Sequence, residues 1–329
     1  RRLQGDFEGR SGQRGMAVLM RYTLRLLTLQ QFQRAATLLC ACESIRRENP
    51  AKWGEYPFRL GLWVGQRTTP NTAEQSREAI QRDHGAYRGS LFGAGTPAQI
   101  SHCPWCGYKI DKGRDIKVVS GTDRTVIYCG DPLGRCLFSP RNSPNEGLPA
   151  LVVDEDIYRN PPALLISTVD KFAQMPWKGE IQTLFGQVDG LCPRHGFRSS
   201  SIKNSLSHPR HGELPAVQSV AHLPLRPPDL IIQDELHLIS GPLGSLVGLY
   251  ETAIDALCSW TVDGKIVKPK IIASTATIRR APDQVHQVFQ RRVELFPPQG
   301  TDIRDNFFSQ QEEPGEKTPG RKYLGICAP

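Results

Sequence analysis

The sequence predicts a parallel α/β domain, and three stretches between Pro227 and Thr277 carry that prediction. Leu230-Ile231-Ile232-Gln233 is an apolar run of strand length that stops at two carboxylates, Asp234 and Glu235, as a buried parallel strand does where its C-terminal end opens on a crevice. Ile271-Ile272-Ala273 is a second such run and ends in small residues, Ser274-Thr275-Ala276-Thr277. Between them Leu246, Leu249, Tyr250, Ala253, Ile254 and Leu257 recur at helical spacing behind the punctuation of Gly241, Pro242 and Gly244. Strand, helix and strand form the crossover unit of a parallel sheet.

Earlier segments extend the pattern. Ala17-Val18-Leu19-Met20 reads as a strand, followed by a long helix reaching about Arg46. Leu60-Gly61-Leu62-Trp63-Val64 is the next strand, and Thr72 caps a predicted helix from Ala73 to about Gln81, with Glu74 and Glu78 favourably placed toward its positive end. Ala163-Leu164-Leu165-Ile166-Ser167 is a further strand that runs through Thr168 into an amphipathic helix containing Lys171. From Gly190 to Pro228 the chain is polar and proline-rich, a connection that is either functional or flexible. A helix is expected from about Pro282 to Arg291, an exit strand over Val293 to Pro298, and an exposed Gly/Pro-rich loop beyond.

Residues from about 95 to 150 change character. Cys103-Pro104-Trp105-Cys106-Gly107 is a Cys-x-x-Cys knuckle with the glycine that lets the backbone bend behind both sulfurs, and Cys129 and Cys136 supply a second, more loosely spaced pair. Four thiolates make a closed Zn2+ site that leaves no position for a catalytic water, which argues against a zinc nuclease. The expected role is to staple an insertion poor in apolar residues. Lys109, Lys112, Arg114, Lys117 and Arg124 surround the knuckle and leave a direct nucleic-acid contact open. Cys192 and His195 have ligand spacing and form an alternative metal pair, although the sequence names no partners for them.

The 329 residues are 39% apolar and carry a net charge of +8, which favours an anionic partner. No window is long and apolar enough for a membrane span, and the first residues lack the apolar core of a signal peptide. Nine cysteines that are free or metal-bound fit a reducing compartment, so the expectation is a cytoplasmic protein with no membrane partner.

Asp234-Glu235-Leu236-His237 followed by Thr275-Ala276-Thr277 resembles the DExH box and the Ser/Thr-Ala-Thr motif of superfamily 2 helicases. The wider run from Gln233 to Gly244 looks, more narrowly, like the helicase subunit of the DISARM anti-phage system. The resemblance implies a RecA-like sheet and an ATP-driven motor acting on nucleic acid, taken to be DNA, together with other defence-system subunits. Asp234 would hold Mg2+ and Glu235 would orient the hydrolytic water. His237, Thr275, Ala276 and Thr277 would couple the nucleotide to the nucleic acid. Arg25, Leu27 and Gln30 align with motif Ia, although Leu24 replaces its Thr and Leu26 its Glu; Thr168 and Lys171 fall at motif Ib, where Val169 replaces Pro and Phe172 replaces Leu. Arg25, Gln30, Thr168 and Lys171 would then hold backbone phosphates.

One expected part is missing: no Gly-x-x-x-x-Gly-Lys-Ser/Thr loop occurs in the 329 residues. The expectation is therefore an internal piece of a longer ATP-hydrolysing helicase or translocase, inactive by itself. Residues 1–94 would begin the first RecA-like domain, 95–150 would be the zinc-ribbon insertion, and 151–298 the remainder of that domain with a flexible insertion at 190–228. Residues 299–329 would lead into a second domain. The alternative is a zinc-stabilised nucleic-acid-binding platform without ATPase activity.

Overall fold

A computed structural model describes residues 5–83, 95–202, 206–276, 281–298, 300–302 and 304–327. The chain divides into two compact units, Arg1–Arg279 and Arg280–Pro329.

The first unit is built on six parallel strands: β1 (Val18–Tyr22), β2 (Leu60–Trp63), β3 (Ala150–Leu151), β4 (Leu164–Thr168), β5 (Leu230–Gln233) and β6 (Lys270–Ala273), in the spatial order β6-β5-β1-β4-β2-β3. Its principal helices are α1 (Arg25–Glu48), α2 (Ala73–Asp83), α3 (Asp154–Arg159) and α4 (Gly241–Cys258). Thr72 caps α2 as expected, its hydroxyl accepting the Gln75 amide at 3.2 Å. The protein is thus a mixed α/β protein with a central parallel sheet flanked by helices.

Both faces of the sheet are covered, and the two-residue period of the strands decides what each face meets. Met20, Tyr22, Leu62, Val64 and Ile166 point into a core shared with Phe32, Ala36, Leu39 and Cys40 of α1. Leu19, Trp63 and Leu165, also buried, alternate with them. On their side Trp63 meets Phe172 edge-on at 4.9 Å and Phe172 stacks on Tyr250 of α4 at 5.5 Å. Two buried ion pairs lie in this second layer, Arg21 with Glu251 and Lys171 with Asp154.

The cysteine-bearing insertion is not a separate lobe. Cys103, Ile110, Ile116, Ile127, Cys129, Cys136 and Phe138 belong to the same core as α1 and the sheet. Arg47 of α1 donates to the Leu137 carbonyl at 3.1 Å and to Ser143 Oγ at 3.0 Å. Glu146, at the end of the insertion, takes Arg59 in a bidentate pair (2.5 and 2.8 Å) and Arg124 at 3.2 Å. Against the cost of burial, the two guanidinium groups hold the Glu146 carboxyl at about 2, below its ordinary 4.5. A depressed carboxylate stabilises the fold above its unfolded pKa, and that contribution is lost as pH falls from 4.5 through about 2. Thermal melts over this interval are expected to show a loss of about 3 kcal/mol that Glu146→Gln abolishes.

The stretch after Gly190 contains short strands: Gly190–Cys192, Gly196–Arg198 and Val220–Ala221 form a three-stranded antiparallel sheet, and Ser207–His208 pairs with Val217–Gln218. The expected exit strand needs correction. In the second unit, α5 (Ala281–Phe289) is present, but Val293 to Pro298 makes no strand among the described residues. Pro297 and Pro298 lack the amide protons a ladder would use.

Candidate functional site

The parallel register dictates what meets at the C-terminal end of the sheet. Ala273, Gln233, Arg21, Ser167 and Trp63 stand in one row across β6, β5, β1, β4 and β2. The next row is Ser274, Asp234, Tyr22 and Thr168, continued by the ladder bonds Ser274 N–H to Gln233 O and Asp234 N–H to Arg21 O, both 2.9 Å, and by the Tyr22–Thr168 pairing. Sequence-distant polar residues are thereby brought to one edge by strand geometry alone.

Within that row the Ser274 hydroxyl donates to Asp234 Oδ1, which also accepts the Glu235 amide at 3.0 Å. Asp234 is half-buried, and its charge adds to burial in raising the pKa of Tyr22. Glu235 takes a left-handed backbone conformation, φ 50° and ψ 47°, unusual for a side chain with a Cβ and costing about 1–2 kcal/mol. Leu236 N–H to Ser274 O and Leu238 N–H to Glu235 O, both 3.0 Å, pin the turn. His237 Nδ1 lies 3.3 Å from Glu235 Oε2 and 3.4 Å from the Ala276 amide nitrogen. One ring nitrogen can donate to the carboxylate or accept from the amide, but not both at once. His237 is therefore a two-position contact between the strand-end carboxylate and the segment after β6.

Asp234, Glu235, His237 and Ala276 are thus brought together, with Thr275 exposed beside them; Thr277 lies outside the described residues. Ser274 was absent from the expected site set, although its small hydroxyl at the end of an apolar strand was the available signal. The donor set fits a hard cation, since Asp234 and the Ser274 hydroxyl offer oxygen ligands at one strand edge.

The four phosphate-contact candidates separate. Arg25 and Gln30 are exposed in the first turns of α1, with Arg25 its first residue. Thr168 is buried at the end of β4, and its hydroxyl has no hydrogen-bond partner among the described residues. Lys171 needs correction: its ammonium is fully buried, pairs with Asp154 Oδ2 at 2.7 Å and lies over the Trp63 ring. It is not a surface phosphate ligand. Lys171→Ala is expected to destabilise the protein by about 3–5 kcal/mol in denaturant titrations, because it leaves the Asp154 carboxylate buried and unpaired.

The metal-ligand expectation for the insertion is met in its geometry. Cys103, Cys106, Cys129 and Cys136 bring their sulfurs within 4.8 Å of one another, with Cys103–Cys136 at 3.8 Å and Cys106–Cys129 at 3.3 Å. Tetrahedral zinc thiolates stand roughly 3.8 Å apart, from a Zn–S bond near 2.3 Å. Gly107, at φ +81°, returns its amide to the Cys103 carbonyl at 2.9 Å and closes the knuckle. The Asp131 amide points at Cys129 Sγ at 3.4 Å, the kind of outer contact that supports a thiolate. Burial pushes the Cys136 thiol up to about 12 and raises Cys129 as well. This cluster can hold a zinc ion.

The class defined so far is a parallel α/β protein with a carboxylate pair at a strand end and a four-cysteine metal cluster. No family model matches the chain. The chain is 39% identical over 324 residues to the DISARM protein DrmA of Bacillus paralicheniformis, an alignment covering 95% of this chain and 27% of that protein. It is therefore related to DrmA along nearly its whole length and spans about a quarter of that relative. Among the described residues, no helix is long and apolar enough to cross a membrane.

Proposed function

We propose that the chain is part of an ATP-driven nucleic-acid motor in anti-phage defence, of the superfamily 2 helicase type, acting on DNA with other defence-system proteins. The defence role rests on the relationship to a DISARM protein. The motor reading rests on one observation: Asp234, Glu235 and His237 meet the Ser274–Ala276 segment at the same end of adjacent parallel strands. A binding platform without ATP chemistry would not require that arrangement.

In this reading Mg2+ supplies charge neutralisation at the phosphates when nucleotide is bound, with Asp234 and Ser274 as the groups of this chain that would face it. Glu235 accepts a hydrogen bond from the attacking water and positions it. His237 exchanges its Nδ1 contact between Glu235 and the Ala276 amide, so the state of the carboxylate reaches the chain after β6. The loop that cradles the phosphates is supplied from outside these 329 residues. Arg25 and Gln30, exposed at the start of α1, hold backbone phosphates without reading bases.

The test is ATP hydrolysis by the complete protein with and without single-stranded and duplex DNA. Turnover stimulated by DNA, with binding that weakens steeply as salt rises, is the expected result. DNA binding without hydrolysis would replace this reading with the platform.

A further inference from the structure

A second cluster of metal-ligating side chains lies outside both sites described above. Gly190–Cys192 and Gly196–Arg198 form a tight hairpin whose turn carries His195, and Cys192 Sγ is 3.5 Å from His195 Nδ1. The third member arrives from another strand pair: the ring of His208 packs 4.4 Å from that of His195. Ligand atoms of Cys192, His195 and His208 all lie within 4.8 Å of one another. His208 Nε2 is buried and has no hydrogen-bond partner among the described residues, and such a nitrogen is costly unless something occupies its lone pair.

The surroundings fix this arrangement. Gly196 holds φ +95°, and a Cβ there would stand 2.3 Å from the Arg159 carbonyl oxygen, so only glycine seats the hairpin against the end of α3. Arg194, inside the turn, donates to the carbonyls of Pro209 (2.9 Å) and Pro215 (2.7 Å), fastening the loop that follows His208. The apolar support is small: Val188, Phe197 and Leu225 with Leu191 beside them.

We propose that Cys192, His195 and His208 bind a second zinc ion, which staples the hairpins between Gly190 and Ala221 to one another. One thiolate and two imidazoles are a borderline-soft donor set suited to zinc rather than to magnesium or calcium. Zinc ligands of this mixed type stand roughly 3.3–3.8 Å apart, and the Cys192–His195 contact already has that length. Three protein ligands leave a fourth position for water or an outside donor. The spacing of Cys192 and His195 is visible in the sequence, but His208 is supplied only by the fold.

The complete protein, purified without chelator, tests this by zinc content per chain. His208→Asn and Cys192→Ser are each expected to lose one zinc equivalent, Cys106→Ser to lose a different one, and the Cys106/His208 double variant to lose two. His208→Cys, which restores a zinc ligand, is expected to regain the equivalent lost in His208→Asn. Zinc content unchanged in both His208→Asn and Cys192→Ser overturns the proposal. Should those variants be insoluble, X-ray absorption at the zinc edge of the wild-type protein decides: a shell containing nitrogen beside sulfur is expected, and a shell fitted by sulfur alone refutes the second site.

Discussion

Glu235→Gln in the complete protein is expected to lower DNA-stimulated ATP turnover by roughly 10²–10⁴-fold, the range for loss of a positioned proton acceptor, while nucleotide binding is kept. The amide is nearly isosteric and preserves the left-handed turn at φ 50°, so the backbone of the strand end should persist. What is lost is the charge proposed to face the hydrolytic water, and with it the carboxylate oxygen 3.3 Å from His237 Nδ1. Single-turnover hydrolysis with a separate nucleotide-binding measurement checks it. Full hydrolysis in the variant would remove Glu235 from the role proposed for it.

Cys106→Ser is expected to have the largest structural effect. Apparent zinc binding free energies of structural sites are about 10–16 kcal/mol near neutral pH, comparable with the whole stability of a domain. Because Cys103, Cys129 and Cys136 share their core with Phe138, Ile127 and the α1 side of the sheet, release of the ion would loosen more than the insertion. Loss of one zinc equivalent and a clear fall in the thermal midpoint should appear together. Zinc uptake should also release protons, since burial keeps the Cys129 and Cys136 thiols protonated without the ion. Affinity then falls as pH falls, and metal titration at two pH values measures it.

The legible parts of the sequence were those with local causes. Strand-length apolar runs gave β1, β2, β4, β5 and β6 to within a residue or two, and Thr72 capped the helix it preceded. The Cys-x-x-Cys knuckle and the strand-end carboxylates were visible for the same reason. What stayed hidden depended on partners far along the chain. Lys171 looked like a surface cation because nothing nearby indicates Asp154 and Trp63 beside it. The buried face of α4 was displaced from its expected stripe: Val247, Tyr250, Glu251, Ile254 and Cys258 turn inward, while Leu249 is 75% exposed. Glu251 is inside because Arg21 is, and a charged residue at an inward position disguises the helical phase.

The order of the strands also governs how the protein is made. β1 is translated before both of its neighbours, β4 and β5, with Val18 paired to Leu164 and Leu230. At ribosomal speeds of about 5–20 residues per second, the central strand waits roughly 10–40 s for its second partner. During that interval only one edge of β1 can be filled, by β4 with β2 and β3 behind it, and the edge that will receive β5 stays open.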